Sequence, residues 1–141
     1  MSAVDEICHY VPALAEHRDA ITRVERDLHA RKFTIAVVSA RNAPPRSSVL
    51  WAERILYLSV YNGWGGRSVL WDLLHELGHV LSGLPELQGP PRTEAERTEQ
   101  RRRERIAWEF AWKFIEEHAP NLRGHLEDFE RRREFCMKSY R

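Results

Sequence analysis

The sequence predicts an α+β fold, because helical and strand-like patterns occupy separate parts of the chain. A long amphipathic pattern comes first, two apolar runs rich in β-branched residues follow, and three further helical patterns complete the 141 residues. A chain of this length can bury its own hydrophobic core, and no internal repeat or linker divides it. We therefore expect residues 1–141 to form a single domain, with a small sheet packed against helices.

The first half of the chain is predicted to contain one helix and two or three strands. Residues 5–31 carry apolar side chains at helical spacing, with a possible break around Pro12. Residues 33–38 form a continuous β-branched run that is typical of a buried strand. Residues 49–60 contain a second strand, and its pattern is strongest at residues 55–60.

Two segments between these elements are predicted to be loops. Residues 42–48 contain two prolines, which cannot sustain the hydrogen bonds of a sheet. Residues 62–66 form a glycine-rich turn that lets the chain reverse, and Trp64 within it is the tryptophan that we expect to touch a substrate.

A buried helix is predicted next, over residues 67–83. Nearly every face of it is apolar, and a helix that is hydrophobic all round is buried. Gly83 and Pro85 provide its stop signal.

The last third of the chain is predicted to form two helices. Residues 93–118 begin with Thr93 as N-cap and Glu96 three positions later, which is the capping-box pattern. The first half of this helix is charged and its second half is apolar, and Pro120 ends it. A final amphipathic helix is expected over residues 121–138.

Composition excludes several classes of protein. The formal net charge is +1, so the chain has no overall field that would attract nucleic acid or an acidic membrane. The first residues lack a signal-peptide pattern, and no apolar run approaches the roughly 18 residues of a membrane span. Cys8 and Cys136 are predicted to be reduced thiols, with a bridge between them as the alternative. These features predict a cytoplasmic protein with neither a membrane nor a nucleic acid as direct partner.

The buried helix contains an H-E-x-x-H motif formed by His75, Glu76 and His79. Residues four apart lie nearly on one face of a helix, so both imidazoles can reach the same metal ion. Glu76 is displaced around the helix, where its carboxylate can contact a water molecule at the metal's open position. This spacing predicts a catalytic zinc site in which Glu76 takes a proton from water and delivers it to the leaving nitrogen.

A catalytic zinc site needs a third protein ligand. The metzincin extension of the motif would place glycine at position 82 and histidine at position 85, where this chain has Ser82 and Pro85. A glutamate on the following helix is the other common solution. The candidates are Glu94, Glu96, Glu99, Glu104 and Glu109.

Among these glutamates, Glu104 is the predicted ligand and Glu109 the second choice. Glu104 lies where the helix changes from charged to apolar, so it can point inward while the earlier glutamates stay solvated. Ala107 and Ala111 follow it on the same face, where small side chains would let this helix approach the motif helix closely.

The segment from Ile55 through Ile115 resembles the ImmA/IrrE family of small bacterial and phage zinc metallopeptidases. The resemblance consists of a strand before the motif, the motif helix itself, and a later Glu-x-x-Ala-x-x-Phe-Ala-like helix. The first of these helices reads His75-Glu76-Leu77-Gly78-His79-Val80-Leu81, and the second reads Glu104-Arg105-Ile106-Ala107-Trp108-Glu109-Phe110-Ala111. The segment covers under half of the chain, and the second helix is its more specific part because many zinc peptidases share H-E-x-x-H. Family members usually carry Asn or Asp where this chain has Trp108.

This resemblance implies a minimal zincin-like fold, with one zinc ion between the helices at 67–83 and 93–118. His75, His79 and Glu104 would be its ligands and Glu76 the catalytic base. The substrate would be a cytoplasmic regulatory protein, such as a helix-turn-helix repressor encoded as a separate chain. We expect an extended substrate to pair with an exposed sheet edge, for which residues 54–60 are the candidate.

Two other classes of function remain open from the sequence. A zinc-stabilised module that binds a partner without cutting it would need four protein ligands and no open position. A nucleic-acid-binding protein would need a contiguous basic surface. The arginine runs at 101–103 and 131–133 are interleaved with glutamates, so we expect ion-paired, solvated helix faces there.

Several other polar residues are weighed for roles beside the metal. Asp72 is expected to contact the backbone or an arginine rather than a ligand imidazole. His118 and His125 are expected to face solvent rather than stabilise the oxyanion, and Tyr57 and Tyr61 are no better candidates for that role.

Overall fold

The structure is a computed structural model that describes residues 2–39, 46–60, 66–87 and 89–140. Most of the predicted loop at 42–48 and of the predicted turn at 62–66, together with Tyr61 and Trp64, lies outside the described residues. Within those residues the chain is α+β, as predicted, with helices packed around a small sheet. The elements are α1 (Ala3–Tyr10), α2 (Arg18–Ala30), β1 (Thr34–Ser39), β2 (Ser48–Leu50), β3 (Ile55–Val60), α3 (Gly66–Ser82), α4 (Glu94–His118) and α5 (Leu126–Met137).

The N-terminal helical region breaks where proline predicts it. Pro12 begins a 3₁₀ segment, Pro12–His17, that separates α1 from α2. The break arises because proline has no N–H to donate to the preceding turn and its ring clashes with the carbonyl there. Val4 and Ile7 of α1 and the apolar face of α2 are buried in the same core as α3.

The described strands form one sheet in the order β1–β3–β2. β1 pairs with β3 in parallel, with Thr34 opposite Ile55, and β2 pairs with β3 in antiparallel orientation. β2 and β3 are joined by the turn at 51–54, where Arg54 has a φ of 57°.

The prediction that residues 54–60 form an exposed edge is wrong. β3 is the central strand, so neighbours on both sides use its backbone hydrogen-bonding groups. Its burial agrees with this position, because Leu56, Leu58, Ser59 and Val60 are all buried. The short strand β2 lies at one edge of the sheet instead.

α3 is the buried centre of the fold. Every residue from Val69 to Val80 is buried, as its apolar sequence predicts. The helix ends at Ser82, and Gly83 follows with a φ of +71°. This left-handed conformation is the usual helix stop, and glycine adopts it without steric cost.

α4 begins with the predicted cap. The Thr93 hydroxyl accepts a hydrogen bond from the Glu96 backbone N–H at 3.1 Å. The Glu96 carboxylate accepts from the backbone N–H of Arg92 at 2.7 Å, one residue earlier than in a standard capping box. The first turns are solvated, whereas Glu104, Ala107, Trp108, Ala111, Phe114 and Ile115 are buried.

α5 is attached to α3 by polar as well as apolar contacts. Arg132 donates two hydrogen bonds to the Asp72 carboxylate, at 2.9 and 2.8 Å. Asp128 accepts from the Trp71 indole at 3.0 Å and from Arg67 at 3.1 Å. In the described parts of the chain, no helix has both the length and the apolar character needed to cross a membrane.

Candidate metal centre

The face of α3 that meets α4 brings three of the predicted site residues together. The Nε2 atom of His75 lies 2.7 Å from Glu104 Oε2, and the Nε2 atom of His79 lies 3.2 Å from the same oxygen. His75 is 7% exposed, and His79 and Glu104 are both 0% exposed. Two imidazole nitrogens therefore converge on one buried carboxylate oxygen.

A glycine inside the motif allows this approach of the two helices. A Cβ atom on Gly78 would lie 2.0 Å from the Ala107 carbonyl oxygen, well inside van der Waals contact. The backbones of α3 and α4 thus touch directly, one turn of α4 beyond Glu104. The small side chain that α4 contributes here is Ala107, one of the two alanines predicted to permit close packing.

Each imidazole is oriented by a different contact. His79 Nδ1 lies 2.8 Å from the carbonyl oxygen of Leu84. A carbonyl only accepts, so Nδ1 carries a proton, and Nε2 donates a second proton to Glu104. A metal ion bound there would take the place of the Nε2 proton. The His75 ring is stacked on Trp108, with ring centroids 4.4 Å apart and planes within 7° of parallel.

Glu104 is held in its ionised form. Burial opposes ionisation, but hydrogen bonds from His75 and His79 outweigh it and lower the pKa of Glu104 to about 2. His79 responds in the opposite direction: burial lowers its pKa, while Glu104 more than compensates and leaves the pKa raised. The Glu104 carboxylate and the imidazoles thus stabilise each other's charged forms. A divalent ion would replace the imidazole protons as the positive partner of the carboxylate.

Glu76 lies in a different environment although it neighbours His75. It is 3% exposed, and its Oε2 atom has no hydrogen-bond partner among the described residues. Its Oε1 atom is 3.5 Å from His75 Nδ1. Burial, together with the nearby carboxylates of Glu86, Glu104 and Asp72, raises the pKa of Glu76 well above its usual range.

The donor groups fit a zinc ion. His75, His79, Glu86 and Glu104 each offer one ligand atom, and these atoms all lie within 4.8 Å of one another. Imidazole nitrogen and carboxylate oxygen are ordinary zinc ligands. Glu104 Oε1 is buried without a hydrogen-bond partner among the described residues, which is costly unless a cation satisfies it.

Glu86 is the member of this cluster that the sequence analysis missed. It lies in the loop after α3, and its Oε1 atom is 3.5 Å from His79 Nε2. The search for a third ligand considered only glutamates of the following helix. A signal was present, because Glu86 is the one charged residue in the otherwise apolar stretch at 84–87 directly after the motif helix.

Two cavities open beside the cluster. One, of about 340 Å³, extends toward α5 and is lined by Arg46, Arg132 and Phe135 in addition to His75. The other, of about 530 Å³, extends along β2 and the turn after it. Glu76 and Glu86 line both cavities.

Arg46 and Tyr140 form a further polar pair that sequence reasoning did not single out, and Arg46 of this pair lines the cavity toward α5. Arg46 donates a hydrogen bond to the Tyr140 hydroxyl at 3.4 Å. Burial and the nearby carboxylates of Glu104 and Glu86 raise the pKa of Tyr140, so its hydroxyl proton is retained.

The remaining candidates lie elsewhere. Asp72 contacts an arginine, Arg132, as expected. Glu109, the alternative third ligand, is on the outer face of α4 with a side chain that is 60% exposed. His118 lines a separate cavity between α2 and α4, and His125 packs against His17 with ring centroids 5.8 Å apart.

The arginine runs have the ion pairs that their spacing predicts. Arg102 and Arg103 both donate to Glu99, and Arg133 pairs with Glu130. Arg132 points toward Asp72 rather than outward. These partners neutralise much of the positive charge, so the runs do not by themselves make a basic surface.

Comparison with known proteins returns no match, whether with family models, with curated proteins or with solved structures. The function is therefore inferred from the chemistry of the site.

Proposed function

We propose that this protein is a zinc-dependent endopeptidase in which His75, His79 and Glu104 hold one metal ion and Glu76 is the catalytic base. The observation that carries the proposal is the convergence of both Nε2 atoms on Glu104 Oε2 beside a buried, half-satisfied Glu76. Two histidines and one glutamate are the ligand set of several zinc peptidases, which keep a fourth position open for chemistry.

Each residue around the proposed metal has a separate role in peptide hydrolysis. A bound zinc ion supplies a Lewis acid that polarises the scissile carbonyl and lowers the pKa of a water molecule to about 7. Glu76 takes the water proton on its free Oε2 atom and passes it to the leaving nitrogen. Its raised pKa suits this role, because the carboxyl must hold the proton between the two transfers. We assign to Arg46, which lines the cavity toward α5, the hydrogen bond to the carbonyl oxygen as charge develops there.

An edge strand supports an extended substrate. β2 lies at one side of the sheet, and its residues line the cavity that also contains Glu76 and His79. A peptide added alongside β2 would gain backbone hydrogen bonds while its side chains fill the cavity. The edge in this proposal is therefore 48–50 rather than 54–60.

We further propose that the protein is a minimal zincin related to the ImmA/IrrE metallopeptidases. The order of a strand, a motif helix and a second ligand-bearing helix supports this relationship. By that analogy the substrate is a cytoplasmic regulatory protein, such as a separately encoded helix-turn-helix repressor. Incubation of the zinc-loaded protein with the DNA-binding regulators encoded beside it tests the substrate class, and regulators that all stay intact would argue against it.

Metal content of ligand variants tests the site itself. We expect about one zinc per chain in the purified protein and loss of the metal in His79→Ala and Glu104→Ala. Glu109→Ala is the matched control, because it removes a glutamate from the exposed face of the same helix. Zinc that persists in Glu104→Ala but is lost in Glu109→Ala would contradict the assigned third ligand.

Cleavage by a base variant tests the catalytic role. Glu76→Gln is expected to keep the zinc ion, since Glu76 is not a proposed ligand, and to lose peptidase activity by about 10² to 10⁴-fold. The measurement is cleavage of an unfolded protein substrate followed by mass spectrometry. Activity equal to that of the unmodified protein would remove Glu76 from the mechanism.

A second function is favoured by one observation, the presence of Glu86 as a fourth donor within the cluster. Four protein ligands are typical of structural zinc sites, which would suit a binding module without peptidase activity. Such a module gives no role to the unsatisfied carboxylate of Glu76. Zinc retained with no cleavage of any unfolded substrate would favour the module.

A further inference from the structure

The position of Glu86 is fixed by the loop that carries it. Leu84 is tied to the site, because its carbonyl accepts from His79 Nδ1 at 2.8 Å and its N–H donates to the Ser82 hydroxyl at 3.3 Å. Arg103 of α4 donates to the Pro85 carbonyl at 3.0 Å. These contacts hold the two residues before Glu86 against α3 and α4, and Glu86 Oε1 lies 3.5 Å from His79 Nε2.

Glu86 differs from Glu104 in how firmly its side chain is held. Glu104 has a side chain that is 1% exposed and has hydrogen bonds from two imidazoles. The Glu86 side chain is 38% exposed. In the part of the chain that the structure describes, His79 is the only side chain within hydrogen-bond or ion-pair distance of its carboxylate. Glu86 is thus the solvent-side member of the cluster.

Glu86 and Glu76 both line the two cavities beside the cluster, and Glu86 is the more exposed of the two. It lines the one that extends toward α5 and the one that extends along β2. A peptide that lies along β2 and continues toward Arg46 and Phe135 must pass this side chain. The carboxylate therefore occupies the route that the substrate would take.

We propose that Glu86 is a fourth, displaceable metal ligand that occupies the substrate position of the resting site. Glu104, His75 and His79 hold the ion permanently, while the Glu86 carboxylate leaves it when a peptide carbonyl or another ligand arrives. Withdrawal of this one side chain frees the fourth coordination position beside the two cavities that it lines. This inference rests on the proposed metal site, and it reconciles a four-donor cluster with catalysis.

Binding of a small metal-directed ligand to the cobalt-substituted protein tests the proposal without any peptidase assay. Acetohydroxamate is titrated into the full chain loaded with Co²⁺, and the visible absorption of the metal reports its coordination. Glu86→Gln and Glu86→Ala should bind the probe about tenfold more tightly than the unmodified protein, as expected if the site is closed for about nine-tenths of the time. Their spectra before addition of the probe should already differ from that of the unmodified protein.

Glu53→Gln is the matched control, because Glu53 is an exposed carboxylate that lines the same cavity along β2 outside the ligand cluster. It should bind the probe as the unmodified protein does. Equal probe affinities and identical spectra for all four proteins would overturn the proposal. Loss of cobalt from both Glu86 variants would also overturn it, because Glu86 would then be a permanent ligand. Failure of the unmodified protein to take up cobalt or zinc would instead remove the metal site and the proposed function with it.

Discussion

Glu76 and Glu104 are buried carboxylates of the same site whose pKa values shift in opposite directions. Glu104 accepts hydrogen bonds from two imidazoles, which keep it ionised although burial disfavours the charge. Glu76 has one oxygen without a partner among the described residues and lies near other carboxylates, so burial and repulsion raise its pKa. Separate environments thus suit the same residue type to the two proposed roles, metal ligand for Glu104 and proton transfer for Glu76.

Cys136 is predicted to be an unreactive thiol although it lines the cavity toward α5. Burial raises its pKa to about 11 despite the nearby Arg132, so the thiol stays protonated at neutral pH and becomes nucleophilic only as the pH approaches that value. In a Cys8→Ser background, alkylation by iodoacetamide at pH 8 should be about a hundredfold slower in the folded protein than in urea. Equal rates in both states would contradict the burial of this thiol.

Residue spacing was sufficient to predict part of the site. His75, Glu76 and His79 follow from one helical turn, and Glu104 followed from the change in composition along the next helix. Glu86 did not, because its approach to His79 depends on the Leu84–His79 hydrogen bond and on the path of an irregular loop. The contact between Arg46 and Tyr140 joins residues 94 positions apart, which no spacing rule predicts.

At the scale of elements, the backbone contact between α3 and α4 sets the distance between the ligands. Gly78→Ala is expected to destabilise the fold by about 3 kcal/mol, because the new methyl group must push the helices apart. Without that contact, alanine would stabilise a helix by about 1 kcal/mol relative to glycine. The measurement is urea unfolding, and a stabilised variant would contradict the close approach.

Gly124→Ala is the control for this substitution. A Cβ atom there meets nothing within 4 Å, so the free energy of unfolding should change by less than about 0.5 kcal/mol. We also expect the Gly78 variant, and not the Gly124 variant, to bind zinc more weakly, since its ligands come from both of the separated helices.

Element types were easier to predict than their arrangement. The continuous apolar runs identified the strands, and the caps at Thr93 and Gly83 marked helix ends that the structure confirms. Strand order depends on pairing between distant segments, which local patterns do not encode. Proximity to the motif in sequence suggested that residues 54–60 form an edge, whereas the burial of β3 requires a neighbour on each side.

At the scale of the whole molecule, one hydrophobic core runs from α1 to α5 and includes both helices that carry the candidate ligands. Hydrogen bonds between histidine and Glu104 partly satisfy the site without an ion. We therefore expect the metal-free chain to fold, in contrast to a zinc finger, whose core is too small to fold alone.

Thermal unfolding followed by circular dichroism tests this expectation. The far-ultraviolet spectrum should survive removal of zinc by EDTA. Zinc at about a thousand times its dissociation constant stabilises the folded state by about 4 kcal/mol, so Tm should rise by about 10 °C. His79→Ala should remain folded and show no zinc-dependent rise in Tm. An unfolded EDTA-treated protein would indicate that the ion is structural.

If a metal ion binds as proposed, the hydrogen bond between His79 and the Leu84 carbonyl links the loop after α3 thermodynamically to that ion. An ion that holds the His79 imidazole in place also stabilises its hydrogen bond to the Leu84 carbonyl. Local opening of residues 84–87 breaks that bond, so it should cost more free energy when the metal is bound. Amide protons in this short segment should accordingly exchange with solvent at rates that follow metal occupancy, while those of the buried central strand stay governed by global unfolding.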